Sequence, residues 1–170
     1  MRKITAICAL LLAAVCISNA QDKKNEAPKS PRVRAENAIA KIEYGQPSKR
    51  GRVIFGELVP YGKVWRTGAN MSTDLTVNTD VLLGGKLLKK GTYAVFTIPG
   101  EKEWTIIVNS KPHQKGAFEY EENKDKNVLE IKASVQHTTS VTEKFTISFE
   151  GEQMIFSWDT VRVPVSLKKK

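Results

Sequence analysis

Val81-Leu82-Leu83-Gly84-Gly85-Lys86-Leu87-Leu88, followed by Thr92-Tyr93-Ala94-Val95-Phe96-Thr97-Ile98-Pro99-Gly100, decides the fold. Two short apolar runs flank a glycine pair, and glycine supplies the positive φ that tight hairpin turns require. The next run is rich in β-branched and aromatic residues and stops at Pro99-Gly100. Trp104 to Val108 follows at once, so Pro99 to Glu103 reads as a second hairpin turn.

The same grammar extends in both directions. Ile39 to Tyr44 alternates, with Ala40, Ile42 and Tyr44 on one face and Lys41 and Glu43 on the other. Leu75, Val77 and Thr79 alternate with Thr76, Asn78 and Asp80. Val128 to Val135 and Val141 to Phe149 read as strands, and Gly151 separates the latter from Met154 to Trp158 and Val161 to Leu167. No segment sustains helical periodicity over three turns, and Lys115 to Lys126 reads as a charged loop with a turn or two of helix. Eight or more short strands joined by Gly and Pro turns predict an all-β fold, an antiparallel β-sandwich of jelly-roll-like form with little helix. Phe96, Ile98, Trp104, Ile106, Val108, Phe145, Ile147, Phe149, Ile155, Phe156 and Trp158 are expected in the core, none of them as a ligand contact.

The N-terminus reads differently. Arg2 and Lys3 precede an apolar run from Ile4 to Ile17, and Ser18-Asn19-Ala20 closes it. That is the pattern of a secretory signal peptide over residues 1–20. The run is shorter than the roughly 20 residues a membrane-spanning helix needs. A lipid anchor at Cys16 is disfavoured, because Val15 stands where a small residue is expected. Residues 21–32 read as a polar, proline-bearing flexible leader and residues 33–168 as one domain. The expectation is an exported protein, periplasmic or secreted. Cys8 and Cys16 both lie in the signal, so the mature chain is expected to hold no disulfide and no thiolate chemistry.

Composition excludes little else. Lys and Arg number 27 against 18 acidic residues. The basic residues are scattered apart from the Lys168-Lys169-Lys170 tail, which argues against a nucleic-acid partner and leaves anionic surfaces or polymers in play. His113 sits in a Pro-bearing loop and His137 in what reads as a Thr/Ser-rich turn, and their spacing does not make a metal site. Neither a cofactor nor a metal is expected. A Gly-x-Ser-x-Gly elbow, a phosphate loop and a dinucleotide fingerprint are all missing from the sequence. Carboxylates at Glu43, Glu57, Asp74 and Asp159 would serve equally as solvated strand faces and loops. Asn70-Met71-Ser72 is formally a glycosylation sequon.

The region 44–74 stands apart. Arg50, Arg52 and Arg66 offer planar forks of donors suited to carboxylate, phosphate or sulfate, and Tyr44, Tyr61 and Trp65 offer flat faces for sugar rings or apolar ligands. Thr67 and Asn70 add hydrogen-bonding groups. These eight residues form the predicted ligand-binding site for a glycan or small anion. The competing structural reading has Trp65 plugging one end of the sandwich, Arg66 paired with Glu43, Glu57 or Asp74 and hydrogen-bonded to loop carbonyls, and Thr67 and Asn70 tying an irregular loop together. Two further functions stand beside the binding protein. One is a cell-envelope hydrolase using Glu57 or Asp74 with Arg66 as electrostatic stabiliser. The other is a structural envelope protein without a small-molecule site.

Tyr44-Gly45-Gln46-Pro47-Ser48, Arg50-Gly51-Arg52, Ile54-Phe55-Gly56 and Val59-Pro60-Tyr61-Gly62-Lys63-Val64-Trp65-Arg66-Thr67-Gly68-Ala69-Asn70 resemble the DUF2911 family. So do Gly91-Thr92-Tyr93, Phe96-Thr97-Ile98-Pro99 and Glu103-Trp104-Thr105. The resemblance runs from about Ser30 to Leu167 and implies an exported bacterial single-domain β-sandwich, of a kind frequent in Bacteroidota, with no assigned reaction. Met71 departs from the acidic residue often found after the Asn.

Overall fold

The computed structural model describes residues 30–170. The signal-peptide segment and residues 21–29 of the predicted leader lie outside the described residues. Among the described residues, ten strands build two antiparallel sheets packed face to face, the sandwich expected from the sequence. Strands β1 (Arg32–Glu36), β2 (Ala40–Gly45), β3 (Thr73–Val77), β6 (Gly91–Ile98), β7 (Glu103–Asn109) and β8 (Asn127–Ser134) form the larger sheet in the order β1-β2-β3-β6-β7-β8. Strands β4 (Val81–Leu83), β5 (Lys86–Leu88), β9 (Gln136–Glu150) and β10 (Gln153–Lys169) form the smaller one, ordered β5-β4-β10-β9.

Side-chain alternation explains the layering. In β2, Ala40, Ile42 and Tyr44 point inward while Lys41 and Glu43 are half-buried on the other face. They meet Leu75 and Val77 of β3, Val95 of β6, Trp104, Ile106 and Val108 of β7, and Phe145, Ile147, Phe156, Trp158 and Val163 of the opposite sheet. The outer face of β6 and β7 is also apolar, because α1 (Ala117–Asn123) covers it. Tyr120 lies 4.8 Å from Phe96, with Ala94 and Ile107 beside them. That double burial is why β6 and β7 read as near-continuous hydrophobic runs.

Both predicted hairpins form. Gly84 and Gly85 turn β4 into β5 with φ of 55° and 80°, and β6 pairs with β7 across the Pro99–Lys102 turn. Three sequence expectations need correction. The last of the leader is ordered: Arg32 opens β1, whose burial alternates over Arg32–Glu36, and the Pro31 carbonyl accepts from Gln46 N at 2.8 Å. The Thr/Ser-rich stretch holding His137 is strand, not turn, since β9 runs from Gln136 to Glu150. Met154–Trp158 and Val161–Leu167 are one strand, β10. Register shifts around Asp159, which has φ 56°, interrupt the ladder there and gave the sequence the look of two strands.

Candidate functional site: an arginine-lined cavity under the Trp65–Asn70 loop

Between β2 and β3, which pair directly, the chain makes the long excursion 46–72 across one end of the sandwich. It first touches the smaller sheet: Lys49 N donates to Glu143 O and Phe145 N to Pro47 O, at 2.7 and 2.9 Å. It then returns to the larger sheet, where Trp65 and Thr97 exchange backbone hydrogen bonds of 2.7 and 2.9 Å beyond the end of β3. Long unstructured connections of this kind are commonly functional.

Backbone contact explains the glycines of the motif. A Cβ on Gly45 would collide with the Ala69 carbonyl, and one on Gly68, at φ 154°, would sit 2.7 Å from Gly45 O. The loop can therefore lie directly on the end of β2, where Ala69 N donates to Gly45 O at 3.1 Å. Thr67 and Asn70 both take positive φ, 58° and 67°. For β-branched Thr67 that conformation costs on the order of 1–3 kcal/mol, and the surroundings have to enforce it. They do so: Thr67 Oγ1 lies 3.2 Å from Thr97 Oγ1, and the Thr67 carbonyl accepts from Thr73 Oγ1 at 2.6 Å.

Trp65 does what the structural reading expected. Its ring stacks on Trp158 at 5.9 Å and 17° and meets Phe55, Trp104 and Phe145 edge-on. Its indole Nε1 donates to Gly68 O at 3.1 Å. Arg66 does not. Its Nη1 donates to the Asn70 carbonyl at 2.9 Å and packs against Gly116, where a Cβ would come within 3.1 Å. Among the described residues Arg66 has no carboxylate partner.

Outside this arch lies a cavity of about 410 Å³. Arg50, Arg52 and Arg66 line it together with Asn70, Ser30 and Ser48, and Trp65 and Trp158 form its apolar floor. Arg52 donates to two carbonyls, those of Lys49 at 3.0 Å and Ser48 at 2.6 Å, and like Arg66 it makes no ion pair among the described residues. The Arg50 N–H donates to Glu143 Oε1 at 2.8 Å. Asn70 Nδ2 reaches the Ser30 carbonyl at 3.3 Å. Among the described residues, no Asp or Glu lines the cavity.

A family model described as a protein of unknown function, DUF2911, matches residues 27–167. The chain belongs to the DUF2911 family. No curated protein and no solved structure gives a significant match.

The cavity unites five of the eight residues predicted for the site in this DUF2911 domain: Trp65, Arg66, Asn70, Arg50 and Arg52. Three belong elsewhere. Tyr44 is buried, its ring edge-on to Phe145, and its hydroxyl accepts from Ile147 N at 3.0 Å. Thr67 is fully buried under the loop. Tyr61 is exposed but lies over Gly56, away from the cavity. Trp65 lines the wall, yet its ring is committed to neighbouring aromatics, which leaves stacking on a sugar without a free face. Conversely Trp158, expected only as core, reaches the cavity floor. Its strand pattern is apolar either way, so nothing in the sequence could have separated the two roles.

The two carboxylates proposed for hydrolysis are not at this site. Glu57 is exposed and does not line the cavity. Asp74 is buried behind the loop and fully engaged: its Oδ1 accepts from Ser72 Oγ and His113 N, each at 3.0 Å, and its Oδ2 meets Arg32 Nη2 and His113 Nδ1, each at 2.8 Å. Glu43, the remaining partner foreseen for Arg66, pairs with Lys41 at 3.0 Å, and the Lys41 ammonium holds its carboxyl below the usual range. His113 is exposed at the surface, and its ring Nδ1 also meets Asp74.

Proposed function

We propose that this DUF2911 chain is an exported, non-catalytic binding protein, periplasmic or secreted, that holds an anionic ligand in the arginine-lined cavity. The ligand class is a small organic anion or an acidic glycan unit. One observation carries the reading: among the described residues, Arg52 and Arg66 border a cavity with Arg50 while donating only to backbone carbonyls, and no carboxylate lines the wall. Natural surfaces mix charges, and guanidiniums that meet only carbonyls, as those of Arg52 and Arg66 do among the described residues, attract an anion, most strongly by bidentate hydrogen bonds. Export is supported by the leader-like residues 1–20. The hydrolase reading loses support from the positions of Glu57 and Asp74, because paired carboxylates across a cleft are what that chemistry needs.

The test is a thermal-shift and calorimetric screen of the wild-type chain and Arg66→Ala against sulfate, citrate and glucuronate. A ligand at 100 times its dissociation constant stabilises by about 2.7 kcal/mol, a readily measured shift. Stabilisation of the wild type that is weakened in Arg66→Ala is the expected result. A ligand effect indifferent to Arg66→Ala and Arg52→Ala would remove the site from this cavity.

A further inference from the structure

Immediately beside the arginine cavity is a second recess of about 170 Å³. Leu58, Val59, Pro60, Val64 and Ala117 give it apolar walls. It shares Leu58, Val59, Trp65 and Arg66 with the larger cavity, so the two are neighbouring compartments of one depression. Arg66 is common to both, and Leu58, 43% exposed, stands at both mouths. Lys63 also lines the recess, with a four-carbon stem that can cover apolar surface while its ammonium stays in water.

We propose that the ligand has two parts, an anionic head and a short unbranched alkyl chain. The head sits against Arg66 and Arg52, and the chain lies in the Leu58–Ala117 recess. This rests on the anion-binding reading above and supplies the other half of the ligand. A bare inorganic anion or a fully polar sugar would leave the recess hydrated. An alkyl anion removes its apolar wall from water while keeping the head on the guanidiniums. The pairing of a cationic compartment with an apolar one across a single arginine is what the chemistry of such a ligand requires.

The probe is a series of n-alkyl phosphates (ethyl, butyl, hexyl and octyl), titrated calorimetrically below their aggregation concentrations. Each methylene that enters the recess is expected to tighten binding roughly fourfold, until the recess is full and the series flattens. The heat capacity of binding should become more negative over the same members. Ala117→Trp, which fills the recess, is expected to flatten the slope. Because the slope is the readout, a change in head-group affinity does not obscure it. If every member binds equally, the two-part ligand is wrong and the anion site stands. If the slope survives Ala117→Trp, the chain lies elsewhere and the proposal falls. If neither ethyl phosphate nor the screen's anions bind at all, the anion reading fails and this proposal fails with it.

Discussion

Two polar clusters adjoin the Trp65–Asn70 loop, each with arginines, and are finished differently. Behind the loop, Asp74 gathers Arg32, His113 and Ser72, and both carboxylate oxygens are taken. In front, Arg52 and Arg66 meet only carbonyls. A buried charge is tolerated when its partners are complete, which makes the Asp74 cluster a structural joint between β1, β3 and the His113 loop. Surplus donors at a cavity wall contribute little to the fold, and their arrangement is economical only if something external completes it. On the proposed reading, the contrast separates holding from binding more sharply than residue type does.

Trp65 belongs to both sides, so replacing it should have the largest effect. Trp65→Ala removes the centre of an aromatic cluster and is expected to cost about 4 kcal/mol of stability in denaturant unfolding. A loss below about 1 kcal/mol would mean that the ring is not the plug described here. Asp74→Ala comes next, at about 3 kcal/mol, since it leaves a buried hole and takes the acceptor from the buried Ser72 hydroxyl and the His113 N–H. Ligand binding per folded molecule should then change less than stability does. A variant that kept full stability and lost binding would invert the comparison.

Arg66→Ala should behave in the opposite sense. It is expected to weaken anion binding at least tenfold, about 1.4 kcal/mol, while unfolding stability falls by less than about 1 kcal/mol for one lost carbonyl contact. Tyr44→Phe is the smallest expected change. It should cost about 1 kcal/mol by leaving Ile147 N without an acceptor. Burial pushes the Tyr44 phenol above its ordinary value near 10, although the hydrogen bonds from Ile147 and Gln46 pull it down. A raised acid favours the protonated fold, so this contribution is intact below pH 10 and is lost as pH rises through the folded value. Tyr44→Phe should therefore flatten part of the alkaline decline in stability. Tyr93, raised by burial and by Asp80, keeps its own share. An unchanged alkaline slope would show that the fold does not raise the Tyr44 phenol.

How much of this was legible beforehand depends on the range over which the determining contacts act. The hairpins at Gly84-Gly85 and Pro99-Gly100 are local, set by turn chemistry and alternation, and they could be read directly. The short helix after Lys115 was equally local. β1 escaped because Arg32-Val33-Arg34-Ala35-Glu36 offers only small apolar residues and follows a polar segment. β10 looked broken because the irregularity at Asp159 interrupts its period. At the site, sequence proximity gathered the right arginines, but it could not sort side chains by the direction they face. Tyr44 turns inward because the β2 period demands it. Arg66 lacks an acid because Asp74, eight positions on, is claimed by residues distant in sequence, Arg32 and His113. Such a partition exists only in three dimensions.

The aromatic floor has an optical consequence. All three tryptophans of the chain, Trp65, Trp104 and Trp158, share one cluster, with Trp65 lying 6.0 Å from Trp104 and 5.9 Å from Trp158. Two of them also border the cavity. The native protein therefore carries its own reporter. Indoles this close couple electronically, so near-ultraviolet circular dichroism should show a strong exciton signature, and a ligand pressing on the floor should alter emission without any attached dye. On the proposed reading, the chromophore that would report occupancy is also the one that reports unfolding, so a titration needs only the unmodified chain.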